Sequence, residues 1–137
     1  MDYGFYAAVE GPFDAAVQRV TDELKQEGFG ILSDIDVRQA MKDKLGVEIP
    51  AQRILGACNP GLAHRALQAE PDVGLLLPCN VTLREDGSGQ VRVGFLHPET
   101  LVSLTQNPLM RDVAAQAHAK LSRVCEALGG DPKSGCA

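Results

Sequence analysis

The stretch VGLLLPCNVTLREDGSGQVRVGFL, residues 73–96, decides the fold. Leu75, Leu77, Cys79, Val81 and Leu83 alternate with Pro78, Asn80, Thr82 and Arg84, the period of two that sends the two sets to opposite faces of a strand. Asp86-Gly87-Ser88-Gly89 has turn chemistry, and Val91, Val93 and Phe95 supply the apolar face of a returning strand to Leu96. Val73–Arg84 is therefore predicted as the longest strand of a hairpin, with Arg84 and Arg92 facing each other across it. A hairpin that is apolar on one face and polar on the other calls for helices on one side only.

Working outward, Tyr3–Val9 reads as a first strand ended by Gly11-Pro12. Phe13, Ala16, Val17, Val20 and Leu24 then fall on one face of a 3.6-residue period, with Pro12 suited to the helix start and Gly28 to its end. Phe29–Ile35 is a second strand, and a short helix over 36–45 has Val37, Ala40, Met41 and Leu45 as its inward face and Gly46 as its stop. Arg53–Ala57 is a third strand. Asn59-Pro60 is a capping residue followed by a first-turn proline, opening a helix through Leu62, Ala63, Ala66 and Leu67. Past the hairpin, Pro98–Leu104 has the length of a short helix. Asn107-Pro108 repeats the capping signal before a long helix whose buried stripe is Met110, Val113, Ala114, Ala117, Leu121, Val124 and Leu128.

These elements give the order β-α-β-α-β-α-β-β-α. The expected fold is α+β, a two-layer α/β sandwich of one mixed sheet with helices mainly on one face. The third and fourth strands are expected as parallel neighbours joined by a right-handed crossover. Residues 1–128 form the single domain, and 129–137 are expected as a flexible tail.

Composition bounds the function. The chain has 137 residues, 45% apolar content, no Trp and a net charge of −5 from 13 basic and 18 acidic residues. No Lys/Arg cluster exists to neutralise phosphate backbones, so nucleic acid is not an expected partner. No apolar run approaches the roughly 20 residues that cross a bilayer, so a membrane is not expected either. The N-terminal residues lack the basic and apolar regions of a signal peptide, which points to the cytoplasm, with a mature exported fragment left open. The four cysteines, Cys58, Cys79, Cys125 and Cys136, match no zinc-finger or thioredoxin spacing and are expected as free thiols in a reducing compartment.

Two stretches carry a resemblance: Arg53-Ile54-Leu55-Gly56-Ala57-Cys58-Asn59-Pro60, and Gly74-Leu75-Leu76-Leu77-Pro78-Cys79-Asn80-Val81. With Gly28–Leu32 upstream and Ala114–Leu128 downstream, the chain resembles domain-of-unknown-function family 302 over roughly residues 1–128. The resemblance implies a compact α/β sandwich able to pair as a homodimer, found in bacteria and archaea. It implies no settled activity and hence no catalytic residues, and some relatives look secreted.

Cys58 ends a strand one residue before the capping Asn59, where unpaired N–H groups of a helix start favour a thiolate. Its alternative is a small apolar side chain packed under the turn. If Val81 faces Val93 across the hairpin, Cys79 faces Phe95 and lies diagonal to His97 on the inward face, about 7–8 Å away. The alternative there is a buried Cys beside a histidine that caps the Pro98 helix. Cys58, Cys79 and His97, with Asn59 and Pro60 as the cap beside them, thus form a candidate ligand or metal site, although their spacing lacks a paired Cys-x-x-Cys signal. His64 reads as a solvated helix residue, and His118 and Cys125, two turns apart, are poorly placed to chelate. Asp34 and Asp36 read as helix caps before an acid/base pair. No cofactor is indicated.

Three functions compete. One is a ligand- or metal-binding module with a thiol-containing site. Another is a homodimeric structural or interaction protein. The third is an enzyme with Cys58 as nucleophile, ranked last because no base is placed beside it.

Overall fold

The computed structural model describes residues 2–133. In chain order the elements are β1 (Gly4–Glu10), α1 (Phe13–Gln26), β2 (Gly30–Asp36), α2 (Val37–Leu45), β3 (Gln52–Cys58), α3 (Pro60–Ala69), a 3-10 helix (Pro71–Leu76), β4 (Cys79–Glu85), β5 (Gln90–Leu96), α4 (Glu99–Thr105) and α5 (Met110–Ala127). The strands lie in the order β1-β5-β4-β3-β2, and every pairing is antiparallel. The α+β sandwich is as expected, but the sheet is antiparallel throughout and not mixed.

The parallel β3–β4 pairing is corrected for a geometric reason. Ala57, next to the end of β3, pairs with Cys79, the first residue of β4, so the chain leaves and re-enters the sheet at the same end. Between them α3 and the 3-10 helix pack against each other and reverse the path. The crossover rule governs parallel strands only and does not apply here.

Val73–Arg84 is likewise not one strand. Its first part is the 3-10 helix, and Leu75 is 88% exposed. A short apolar run bounded by Pro71 and Pro78 carries too little periodicity to separate strand from helix. Val73 is nonetheless buried, packed with Leu62, Ala66, Leu101, Met110, Val113 and Ala117 under α3, α4 and the start of α5.

The hairpin forms in the register of the Arg84–Arg92 pair, two residues from the register that sets Val81 against Val93. Val81 faces Phe95 and Leu83 faces Val93, while Arg84 faces Arg92 as predicted. Asp86 accepts hydrogen bonds from the Ser88 N–H and hydroxyl, which sets the reversal one residue later than assumed. A displacement of two residues leaves every side chain on its predicted face.

The core follows from that alternation. Phe5, Ala7 and Val9 of β1, Val91, Val93 and Phe95 of β5, Val81 and Leu83 of β4, and Leu55 and Ala57 of β3 point to one side. Against them pack Ala16, Val20 and Leu24 of α1 and Leu121, Val124 and Cys125 of α5. Burying a side chain such as Val20 or Leu24 contributes roughly 1.5–3 kcal/mol. Helix α1 ends as predicted at Gly28, whose φ of 84° admits a glycine without strain, with the Phe29 N–H bonding back to the Leu24 carbonyl.

Helix α2 forms where predicted, but its expected inward face is not fully buried. Asp36 caps it through the Gln39 N–H and Gly46 closes it, yet it buries none of its residues, and Leu45 is 70% exposed. At the other end of the chain, part of the segment assigned to the tail lies against β1. The Gly130 N–H donates to the Cys125 carbonyl, and Asp131 forms a bridge with Tyr6. Cys136 lies outside the described residues.

Candidate functional site

His97 follows the last residue of β5 and is held through its backbone. Its N–H donates to the Tyr3 carbonyl at 2.8 Å, and its carbonyl accepts from the Thr100 N–H and hydroxyl. Its Nδ1 accepts from the Glu99 N–H at 3.2 Å, so the ring proton of this tautomer sits on Nε2. His97 therefore caps the start of α4, the role sequence reading offered as its alternative.

The same ring has a partner that sequence did not suggest. His118 of α5 stacks on His97 with centroids 4.3 Å apart and planes 25° from parallel. Both imidazoles meet the ring of Phe5 edge-on, at 5.8 and 5.4 Å, and Phe5 in turn stacks on Phe95. Two histidines are thus fixed at the border of the aromatic core, one by a strand end and one by a helix.

They wall an open cavity of about 640 Å³ between α4 and α5. Glu99 and Ser103 line it from α4, and Arg111, Ala114 and Ala115 join His118 from α5. Arg111, Ala114, Ala115 and His118 follow the i, i+3, i+4, i+7 rhythm of one helix face. The two alanines between the polar ends leave the room that larger side chains would fill.

The electrostatics are uneven. Burial holds the His118 pKa below the ordinary histidine value, the neighbouring His97 pushes it the same way, and Glu99 opposes both. Its Nε2 is buried with no hydrogen-bond partner. A neutral His118 therefore faces a cavity also lined by one cation, Arg111, and one carboxylate, Glu99.

The thiols lie elsewhere. Cys79 borders a small apolar cleft of about 30 Å³ with Leu62, Leu101 and Val113, and burial, then the nearby Cys58, push its pKa up to about 11. Cys58 is half-buried and pairs with Gly30 across β3 and β2. The connection through α3 and the 3-10 helix does bring Cys58 and Cys79 to the same end of the sheet, but successive strand positions face opposite ways, and His97 lines the separate α4–α5 cavity. Among the described residues, no three His, Cys, Asp or Glu side chains are grouped to hold a metal ion.

Other sequence candidates have structural employment. Asn59 caps α3 through the Leu62 N–H at 3.3 Å, and Pro60 is its first residue. Asp36 caps α2, while Asp34 accepts two hydrogen bonds from Arg53, which hold its carboxyl below the usual carboxylate range. His64 is exposed. Arg111, Glu99 and Ser103 were missed. The helical rhythm of Arg111 and His118 was available, but their meeting with His97 is a long-range contact that no local pattern carries.

The comparisons agree with this architecture. The profile described as "Domain of unknown function DUF302" matches residues 5–128. A crystal structure of an uncharacterized conserved protein DUF302 from Bacillus stearothermophilus superposes with a TM-score of 0.82 at 28% identity. That similarity covers 90% of this chain and 96% of the other. No curated protein matches. With five antiparallel strands, their helical layer and a profile running from Phe5 to Leu128, the chain belongs to the DUF302 family.

Proposed function

We propose that this chain is a small-ligand binding module whose site is the α4–α5 cavity rather than the cysteine cluster. The observation that carries the reading is the cavity of about 640 Å³ walled by the stacked His97–His118 pair and Arg111. Ligand sites of this kind combine an apolar floor with a few fixed polar groups. Here Ala114, Ala115 and Val102 form the floor. Arg111 offers a planar set of donors suited to an acid group, and the imidazoles and Ser103 offer further polar atoms. The ligand class that fits is a small polar molecule bearing a carboxylate.

A panel of di- and tricarboxylic acids, screened by thermal shift and then by calorimetry, tests this. At least one acid should bind, Arg111→Ala should weaken it roughly tenfold or more, and Cys58→Ser and Cys79→Ser should leave it unchanged. Binding that survives Arg111→Ala together with His118→Ala would sink the reading.

A second reading, a homodimer, rests on a different observation. Helix α2 and the edge strand β2 leave Leu32 and Leu45 each 70% exposed and Ile35 half exposed. An uncovered edge strand with apolar side chains is a ready pairing surface. Sedimentation velocity at micromolar concentration should show a dimer that Leu32→Asp with Leu45→Glu converts to monomer. A wild-type monomer under those conditions rules it out.

A further inference from the structure

The face of the sheet turned away from the core carries a second constellation, independent of the α4–α5 cavity. Tyr6, Gly94, Thr82 and Ile54 form one cross-strand row there, and Ala8, Arg92, Arg84 and Gln52 form the next. The Tyr6 ring lies flat along this face over two glycines. A Cβ at Gly4 would come within 2.9 Å of the Tyr6 hydroxyl, and one at Gly94 within 3.2 Å of its ring. The Arg92 guanidinium stacks on that ring, 3.9 Å from its centroid. Arg84 is directly opposite Arg92 across the hairpin.

Two like charges directly opposite each other destabilise a strand pair. Among the described residues neither arginine forms an ion pair with a carboxylate. Both guanidinium groups border an open groove of about 330 Å³ shared with Tyr3, Tyr6 and Thr82. The stack on Tyr6 fixes the plane of Arg92, which lowers the ordering entropy that binding would otherwise cost.

We propose that this groove binds a phosphate dianion, free or ester-linked to a small molecule, between Arg84 and Arg92. Guanidinium forks match phosphate oxygens in pairs, and two of them balance the dianion's charge. Gly4 and Gly94 take part indirectly, by letting Tyr6 lie flat beneath Arg92.

The chain provides its own reporter. It has no Trp and two tyrosines, Tyr3 and Tyr6, and both line the groove. Tyrosine emission is followed while inorganic phosphate, and separately glycerol phosphate, is titrated at constant ionic strength set with sodium chloride. A saturable change is expected with at least one of them. Tighter binding of the ester assigns the groove to a phosphorylated metabolite, and tighter binding of the inorganic ion assigns it to free phosphate. Arg84→Gln and Arg92→Gln should each weaken binding roughly tenfold or more, since each removes a charge-assisted contact. Arg92→Lys, which keeps charge but loses the fork, should fall between them and the wild type. No saturable change with either probe, or an undiminished one in the Arg84→Gln, Arg92→Gln double variant, overturns the proposal. Both variants alter half-exposed or exposed side chains, so circular dichroism confirms that a loss is not unfolding.

Discussion

His118 shows how one buried ring links packing to proton chemistry. Burial and the neighbouring His97 favour its neutral form in the folded chain, with Glu99 alone opposing. The unfolded chain, whose histidine titrates near 6.5, therefore takes up a proton more readily. The sign follows: the stability from a neutral His118 is complete above that value and is lost as pH falls below it. Melting temperature measured from about pH 7.5 to 5.5 should drop more steeply for the wild type than for His118→Phe, which keeps a ring on His97 and Phe5 but cannot titrate. Equal slopes would show that the stacked pair plays no part. Cys79 and Cys125 make the complementary case. Burial pushes both to about 11, so near neutrality they are protonated and act as small apolar side chains.

At the scale of elements, what was legible in the sequence was whatever a local period or cap encodes. The stripe Ala16–Val20–Leu24 located α1, Asn59-Pro60 located the start of α3, and Val91–Val93–Phe95 located β5, because each signal lies within a few residues. Three features escaped for distinct physical reasons. The Leu75–Leu77 alternation mimicked a strand because three consecutive leucines fit any period, whereas only Val73 of the 3-10 helix is buried. The direction of β4 depended on whether α3 and the residues after it make one leg or two, which is a tertiary matter. Helix α2 has the amphipathic pattern of a packed helix, yet Val37, Ala40 and Met41 are only half-buried and Leu45 is exposed, since a pattern states which face is apolar and not what covers it. The candidate site divides the same way. Local signals found His97 and the cap at Asn59, but the pairing of a β5 end with a position two turns into α5 could not be read from either segment alone.

The molecule as a whole is layered in stability as well as in space. One apolar cluster joins β1, β5, β4 and β3 to α1 and the second half of α5, and a smaller one sits under α3, the 3-10 helix and α4. Helix α2 belongs to neither, and β2 is exposed along nearly its whole length. Local opening free energies follow buried apolar contact, from near zero at uncovered segments to the global value in the core. Native-state amide exchange in a monomer should therefore be slowest in β5 and β4, intermediate in α3 and α4, and fastest in α2. The same measurement bears on assembly. If two copies meet at β2 and α2, protection there must rise with protein concentration while β5 stays constant, because dimerisation stabilises only what it covers. Protection in α2 that equals that of β5 at every dilution contradicts the layering. A low, concentration-independent value in α2 supports the layering and removes the dimer, leaving the two polar grooves as the surfaces on which function has to be sought.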